Sequence, residues 1–560
     1  MKTSAGQKCI LLAIVILAAA FFFTGIGWGL PSRSTTDPFL FGSRVPWTGQ
    51  EIMSLAGAWD ISTPRGADIA MHPLGLRNQP IVLNDTDAKR AEIVRRYRLY
   101  SNQPDEMITF RSLSRMKPGK LDLDPAMYQY GGLWIYPVGA LLKLAAMLHL
   151  IELRGDLAFY LDHPEAFGRF YLVARCYSAG WGLIGVLAVF AVGRELSGKF
   201  FVGAGSGAVY ACLPVVIDLA HEAKPHLAGS VLTLLAAWAA MRFVRTGQQR
   251  WWMSAAGFAG ASMGIVLTGY VAFAAIGVMP LLRSMPWKRR VQTTLSAGLI
   301  AFAVFAITNP YLLLNVLFHR QVLHSNVGNY GTFYHPGLSI GSVKVVCRSL
   351  WEGCSPWPLL IGLAGIIGLL VQRNKSALVL FAVGLVVGMQ FLLLADGKTA
   401  EYARFALTLD IILAIAAVAA IDGLRISPRE KTLAGILLAA ATLFFSLRYE
   451  LNFIVDSSHS STRLEAARAI GRDSQNSTLA VWAEPAPYCL PPVNVFDWRM
   501  VLEPEGSENQ LLPPGTLGVR PVDDPGSSVS VVTARVSSPI SWANKPFAIT
   551  RSVSPSATRP

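Results

Sequence analysis

The sequence predicts an α-helical polytopic membrane protein with about eleven spans, a large first outer loop and a small C-terminal extracytoplasmic α/β domain. Three observations carry this. The 560 residues are 52% hydrophobic and only 15% charged, with a mean hydropathy of +0.41. Apolar runs recur near the length that crosses about 30 Å of hydrocarbon. Lys and Arg are shared unequally between alternate loops, as membrane topology requires. The resulting units are 1–30, an N-terminal span; 31–168, the first outer loop; 169–449, the multi-span domain; and 450–560, the C-terminal domain.

The first apolar run, 9–30, follows Lys2 and Lys8. It is longer than a signal-peptide core, and no small-x-small cleavage site precedes Pro31, so a retained helix is expected. A basic, helix-like stretch lies at 89–98. Segment 131–153 is apolar but is broken by Pro137 and flanked by Arg154, Asp156 and Asp162. It reads as lying along the outer interface, where Trp and Tyr are at home. Further spans are expected near 170–193, 200–219, 225–243, 251–267, 270–282, 291–309, 355–371, 376–395, 404–422 and 432–447. The two around 251–282 are short and interrupted by Gly269, so a single re-entrant pair is the other reading. Beyond 450, Ser, Pro, Gly and Asn clusters separate a helical stretch at 461–471 from an alternating, strand-like one at 528–536. The last dozen residues are expected to lack structure.

One set of loops holds Arg194, Lys199, Arg242, Arg245, Arg250, Arg283, Lys288, Arg289, Arg290, Arg373, Lys375, Arg425, Arg429 and Lys431, fourteen cations; the opposite set holds Lys224, Arg320, Lys344, Arg348, Lys398 and Arg404, six. The first set is therefore read as cytoplasmic, with the N-terminus inside and the C-terminus outside a cell membrane. The net charge of +14 follows from these juxtamembrane loops and their lipid partners, so nucleic acid is not an expected partner. The six cysteines show no metal spacing. Cys347, Cys354 and Cys489 fall on the oxidising side, where a disulfide or free thiols are both open. Asn84-Asp85-Thr86 and Asn476-Ser477-Thr478 are formal glycosylation sequons.

With this topology the unusual ionisable groups share the outer face. They are Asp105 and Glu106; the turn with Asp218, His221, Glu222, Lys224 and His226; His319, Arg320 and His324; and Asp396, Lys398, Glu401 and Arg404. A single charge at a membrane boundary is ordinarily a solvated anchor. Five ionisable groups in the nine residues 218–226 are more than a turn requires. Lys224 precedes Pro225, a first-turn residue of the next helix, so a cation stands beside unpaired backbone N–H groups, a phosphate-binding arrangement. A carboxylate held near the bilayer surface, as at 105–106, suits a general base.

Pro104-Asp105-Glu106 is followed by a Tyr-rich segment leading through Tyr130 to Tyr136-Pro137. Arg175 begins a span ending in Gly193-Arg194-Glu195-Leu196. His221-Glu222-Ala223-Lys224-Pro225-His226 and Glu401-Tyr402-Ala403-Arg404-Phe405 come later. In that order and on that face, the chain from its first span to about residue 420 resembles the GT-C membrane glycosyltransferases. Within them it is most similar to the protein O-mannosyltransferase and aminoarabinose transferase group. The resemblance implies inverting transfer of a sugar from a polyprenyl-phosphate carrier to a lipid, glycan or protein acceptor. It implies Asp105 as catalytic base with Glu106 and Glu222 as catalytic carboxylates, and Lys224, Arg404 and Arg175 as ligands of the donor phosphate. His221, His226, Asp218, Tyr130 and Tyr402 would meet substrate. No cofactor is firmly implied, and a divalent ion is left open. The chain departs from the family where an Asp often follows Lys-Pro, here His226, leaving the second carboxylate to Glu222 or Asp218. It departs again where a Lys often precedes Tyr, here Gly269-Tyr270. The competing class is a transporter or lipid flippase, which would place charges or broken helices near the bilayer midplane; only Gly269 fits that pattern.

Overall fold

The computed structural model describes residues 4–56, 79–320, 336–395, 399–457, 460–473, 477–482, 487, 489–504, 507, 511–523, 530–532 and 537–551. Among them, seven helices are long and apolar enough to cross a membrane: Ala5–Phe23, Pro164–Ser197, His226–Thr246, Trp287–Thr308, Lys375–Leu394, Ala403–Gly423 and Pro428–Asp456. Two bent pairs raise this to nine. Phe200–Ala211 meets Pro214–Ala220 at 61°, and Ile340–Cys354 meets Pro356–Val371 at 107°. Each bend falls at a proline that cannot continue the preceding helix.

The expected eleven differ from this at 249–282. Gln249–Ile265 has 17 residues and is followed by a 3-10 turn, Leu267–Ala272, and the short helix Phe273–Leu282. Gly269 makes the fold-back feasible, since a Cβ there would lie 2.1 Å from the Ser262 carbonyl oxygen. The last span is longer than expected and runs past 450 to Asp456.

Segment 131–153 is a helix, Gly132–Met147. Its start is pressed onto two others by Gly131 and Gly132, whose Cβ positions would fall 2.1 Å from Gly264 O and 2.0 Å from Thr308 O. Asn309 seals the junction, accepting from Gly132 N at 2.9 Å and donating to Gly264 O at 3.1 Å. Tyr130, one residue earlier, bridges to Val266 and so has its backbone fixed.

Beyond the helices stands a six-stranded sheet, β1 (Ile81–Val82), β2 (Thr478–Val481), β3 (Arg499–Leu502), β4 (Thr516–Pro521), β5 (Ser530–Val532) and β6 (Phe547–Arg551), in the order β1-β3-β2-β4-β6-β5. β3, β2 and β4 are parallel and the outer pairings antiparallel. The first loop thus supplies an edge strand to the C-terminal sheet, and the two share one hydrophobic core. Asn84, nearly buried, donates to Val495 O and Trp498 O and accepts from Met500 N. That leaves its amide engaged within the fold, against the reading of 84–86 as a glycosylation site. The other sequon begins at residue 476, outside the described residues.

Ile540, Trp542 and Ala543 of the same C-terminal part pack into the core of the membrane helices. All six cysteines are free thiols.

Candidate functional site

The end of the Ala5–Phe23 helix, the first turns of Pro164–Ser197, the turn between Pro214–Ala220 and His226–Thr246, and the start of Thr399–Gly423 meet at one end of the bundle. Arg175 shows how. Its guanidinium forks onto Glu106, Nε to Oε1 and Nη2 to Oε2, both at 2.8 Å. Its remaining nitrogen, Nη1, donates to Ile26 O and Trp28 O at 2.8 and 2.7 Å. Glu106 also accepts from Ala223 N at 2.7 Å and from the Ser101 hydroxyl. Both side chains are 0% exposed. A buried ion pair persists only when its hydrogen bonds are met this completely.

This geometry moves two expected site residues inside the protein. Arg175, expected at the donor phosphate, has its guanidinium nitrogens bonded to Glu106 and to the Ile26 and Trp28 carbonyls. Glu106, expected as a catalytic carboxylate, is closed off from the surface. His221 moves in the same way: its ring nitrogens sit 2.7 Å from Ile217 O and 2.6 Å from Thr24 O, and it stacks on Phe453 at 4.1 Å. Burial pushes its imidazole down to about 4 despite those carbonyls, so it is neutral at pH 7. Asp218, in Pro214–Ala220 just before the turn, is 2% exposed.

What remains open to a substrate is Asp105, whose side chain is 31% exposed. Its Oδ2 receives Arg404 Nη1 at 2.5 Å and stands 3.6 Å from Lys224 Nζ. Burial alone would raise this carboxyl; the Lys224 and Arg404 charges overcome it and hold the group at about 2. Lys224 also pairs with Glu222 Oε2 at 3.1 Å. Burial pushes Glu222 up, Lys224 pulls it back, and Glu106 nearby adds to the rise.

Gln103, which the sequence reading left without a role, ties the two acids together. Its Oε1 accepts from Asp105 N at 2.6 Å and its Nε2 donates to Glu222 Oε1 at 3.0 Å. No periodicity marks it; only its place two residues before Asp105 could have pointed there. Tyr130 donates to Asp105 O at 3.4 Å and meets the His226 ring edge-on at 6.1 Å. Burial pushes the Tyr130 phenol well up, Asp105 reinforcing it.

The His226–Thr246 helix starts without a side-chain cap, so its first N–H groups add partial positive charge beside Lys224. A small polar cavity continues from Arg404 and His226 between Ser230, Thr233, Gln390 and Thr408. Of the other expected residues, the Tyr402 and Glu401 side chains, His324, Asp396 and Lys398 lie outside the described residues. Among the described residues Arg320 bonds locally, to Val316 O. Asp105 pairs with Arg404 and Lys224, and Glu222 with Lys224. Among the described residues no three His, Cys, Asp or Glu gather as a donor set, and no step is derived through a metal.

Residues 165–313 match the family model described as dolichyl-phosphate-mannose-protein mannosyltransferase. That segment contains Arg175, the 218–226 turn and Gly269, and the match supports the resemblance to GT-C membrane glycosyltransferases. Among solved structures, ArnT from Cupriavidus metallidurans bound to undecaprenyl phosphate is similar at TM-score 0.43 and 14% identity, covering 84% of this chain and 97% of that one. The oligosaccharyltransferase AglB from Archaeoglobus fulgidus, with an inhibitory peptide and a dolichol-phosphate, gives 0.40 and 11%, covering 88% and 65%. No curated protein matches the chain in sequence.

Proposed function

We propose that this protein is an inverting glycosyltransferase that takes a sugar from a polyprenyl-phosphate carrier at the helix-end site around Asp105. The family matched by residues 165–313 uses such a donor by its description. The observation that carries the reading is the partly exposed carboxylate held between two cations on one oxygen.

In this scheme Lys224, Arg404 and the first N–H groups of the His226–Thr246 helix receive the donor phosphate. Asp105 takes the proton of an acceptor hydroxyl as its oxygen attacks the anomeric carbon. The bond from that carbon to the phosphate oxygen breaks, and the lipid phosphate leaves with its charge neutralised. Electrostatic stabilisation of this kind serves a phosphate leaving group better than protonation does. Because both cations also pair with Asp105, the arriving phosphate competes for them and frees the carboxylate to act as a base.

The test is transfer by the purified protein from radiolabelled polyprenyl-phosphate sugars to cell-envelope fractions. Asp105→Asn is expected to lower transfer by about 10²–10⁴-fold while leaving insertion and melting unchanged. Full activity in Asp105→Asn would sink the assignment. The sugar and acceptor are read from the labelled product, and solute uptake without transfer in reconstituted vesicles would favour the transporter class instead.

A further inference from the structure

A groove of about 770 Å³ runs between the Gly132–Met147 helix and the Pro164–Ser197 helix. Leu141, Leu144, Leu148 and Leu150 form one wall and Leu172, Val173, Trp181 and Ile184 the other. Among the described residues the one charged side chain lining it is Arg169, near the same end of the helix as Arg175. From Arg169 to Ile184 the helix rises about 22 Å, more than the ~15 Å depth of one hydrocarbon leaflet. Its lining aliphatic residues Leu144, Leu148, Leu150 and Ile184 are 50%, 59%, 62% and 44% exposed, and they belong to or adjoin a membrane-crossing helix. Hydrocarbon is the solvent that reaches them.

We propose that this groove is a specific site for an anionic phospholipid, with one acyl chain along the leucine wall and the headgroup phosphate on Arg169. Charge complementarity selects the headgroup. Arg169 is exposed, and its hydrogen bond among the described residues is a single long one, 3.4 Å to Leu150 O. The nearby Glu152 is taken by Arg154. Space selects the chain: Gly180 lines the groove, and a Cβ built on it meets nothing within 4 Å. The occupant is not the tail of the sugar donor, because Arg175, which faces the acidic site through Glu106, projects from the opposite side of the same helix. The site therefore braces the interfacial helix against the span that anchors the acidic loop.

The full-length protein, purified in detergent, is incubated with dioleoyl phosphatidylglycerol or dioleoyl phosphatidylcholine, and retained lipid is counted by native mass spectrometry. One phosphatidylglycerol per chain is expected to survive delipidation, with phosphatidylcholine retained less. Gly180→Phe fills the groove and is expected to cut phosphatidylglycerol retention at least tenfold. Arg169→Gln, at an exposed position, is expected to erase the preference by about fivefold, the effect of one cation near a lipid surface. Equal retention of the two lipids by the wild type overturns the proposal, as does undiminished preference in Arg169→Gln. If Gly180→Phe fails to fold, the Arg169 comparison decides alone.

Discussion

At the scale of single residues, two neighbouring acids have opposite fates. Glu106 is sealed against Arg175 and Asp105 looks outward between cations. The sequence marked the pair, and the resemblance gave the base to Asp105; what it could not show is the sealing of Glu106, which depends on Arg175, 69 residues away. The same holds for His221, legible as an unusual residue in a tight turn but caged by the Thr24 and Ile217 carbonyls. Three outcomes are expected here. Removing one cation, in Lys224→Met or Arg404→Met, leaves burial of Asp105 less opposed and raises its carboxyl, so with Asp105 as the proposed base the acid limb of kcat/KM is expected to move upward; pH-rate profiles check this. Arg175→Met strands a buried carboxylate and is expected to cost about 3–5 kcal/mol of stability, seen as a lower melting temperature. For His221 the folded state binds its proton less readily than the unfolded chain does. Its contribution to stability is complete above about 6.5 and is lost as pH falls toward 4. His221→Gln should flatten that part of the melting-versus-pH curve.

At the scale of elements, apolar length is legible in the sequence and the tertiary contacts between helices are not. Segment 131–153 forms a 16-residue helix, Gly132–Met147, shorter than the helices long enough to cross. The contact of Gly131 and Gly132 with Gly264 and Thr308 was invisible, since the partner carbonyls lie more than 130 residues on. Gly269 is the same lesson: its fold-back onto Ser262 explains why a side chain such as Lys has no room there. Gly132→Ala, with its Cβ 2.0 Å from a backbone oxygen, should lower the melting temperature and kcat/KM together, because Tyr130 shifts with it. Gly180→Ala, which meets nothing, should melt at or slightly above the wild-type temperature, as a helical Gly-to-Ala change typically gains up to about 1 kcal/mol.

At the scale of the whole molecule, the outer loop and the C-terminal part, delimited from sequence as separate units, share a sheet. Composition showed strands after 450; a two-residue strand at 81–82 is too short for any alternation to reveal. Asn84→Ala removes three buried hydrogen bonds and orphans their partners, an expected loss of about 1–3 kcal/mol for each group left buried and unsatisfied. A chain ending at residue 457 is expected to leave the 79–130 segment open to limited proteolysis while the helices stay inserted.

The bond from Met500 N to Asn84 spans 416 residues, and that span has a meaning in time. At about 5–20 residues per second, a ribosome that has just made Asn84 needs roughly 20–80 s more to make its partner. Throughout that interval Ile81, Leu83 and the apolar side of the 87–99 helix have no sheet to rest on. The newborn loop therefore holds apolar side chains without their sheet until residues 499–502 are made.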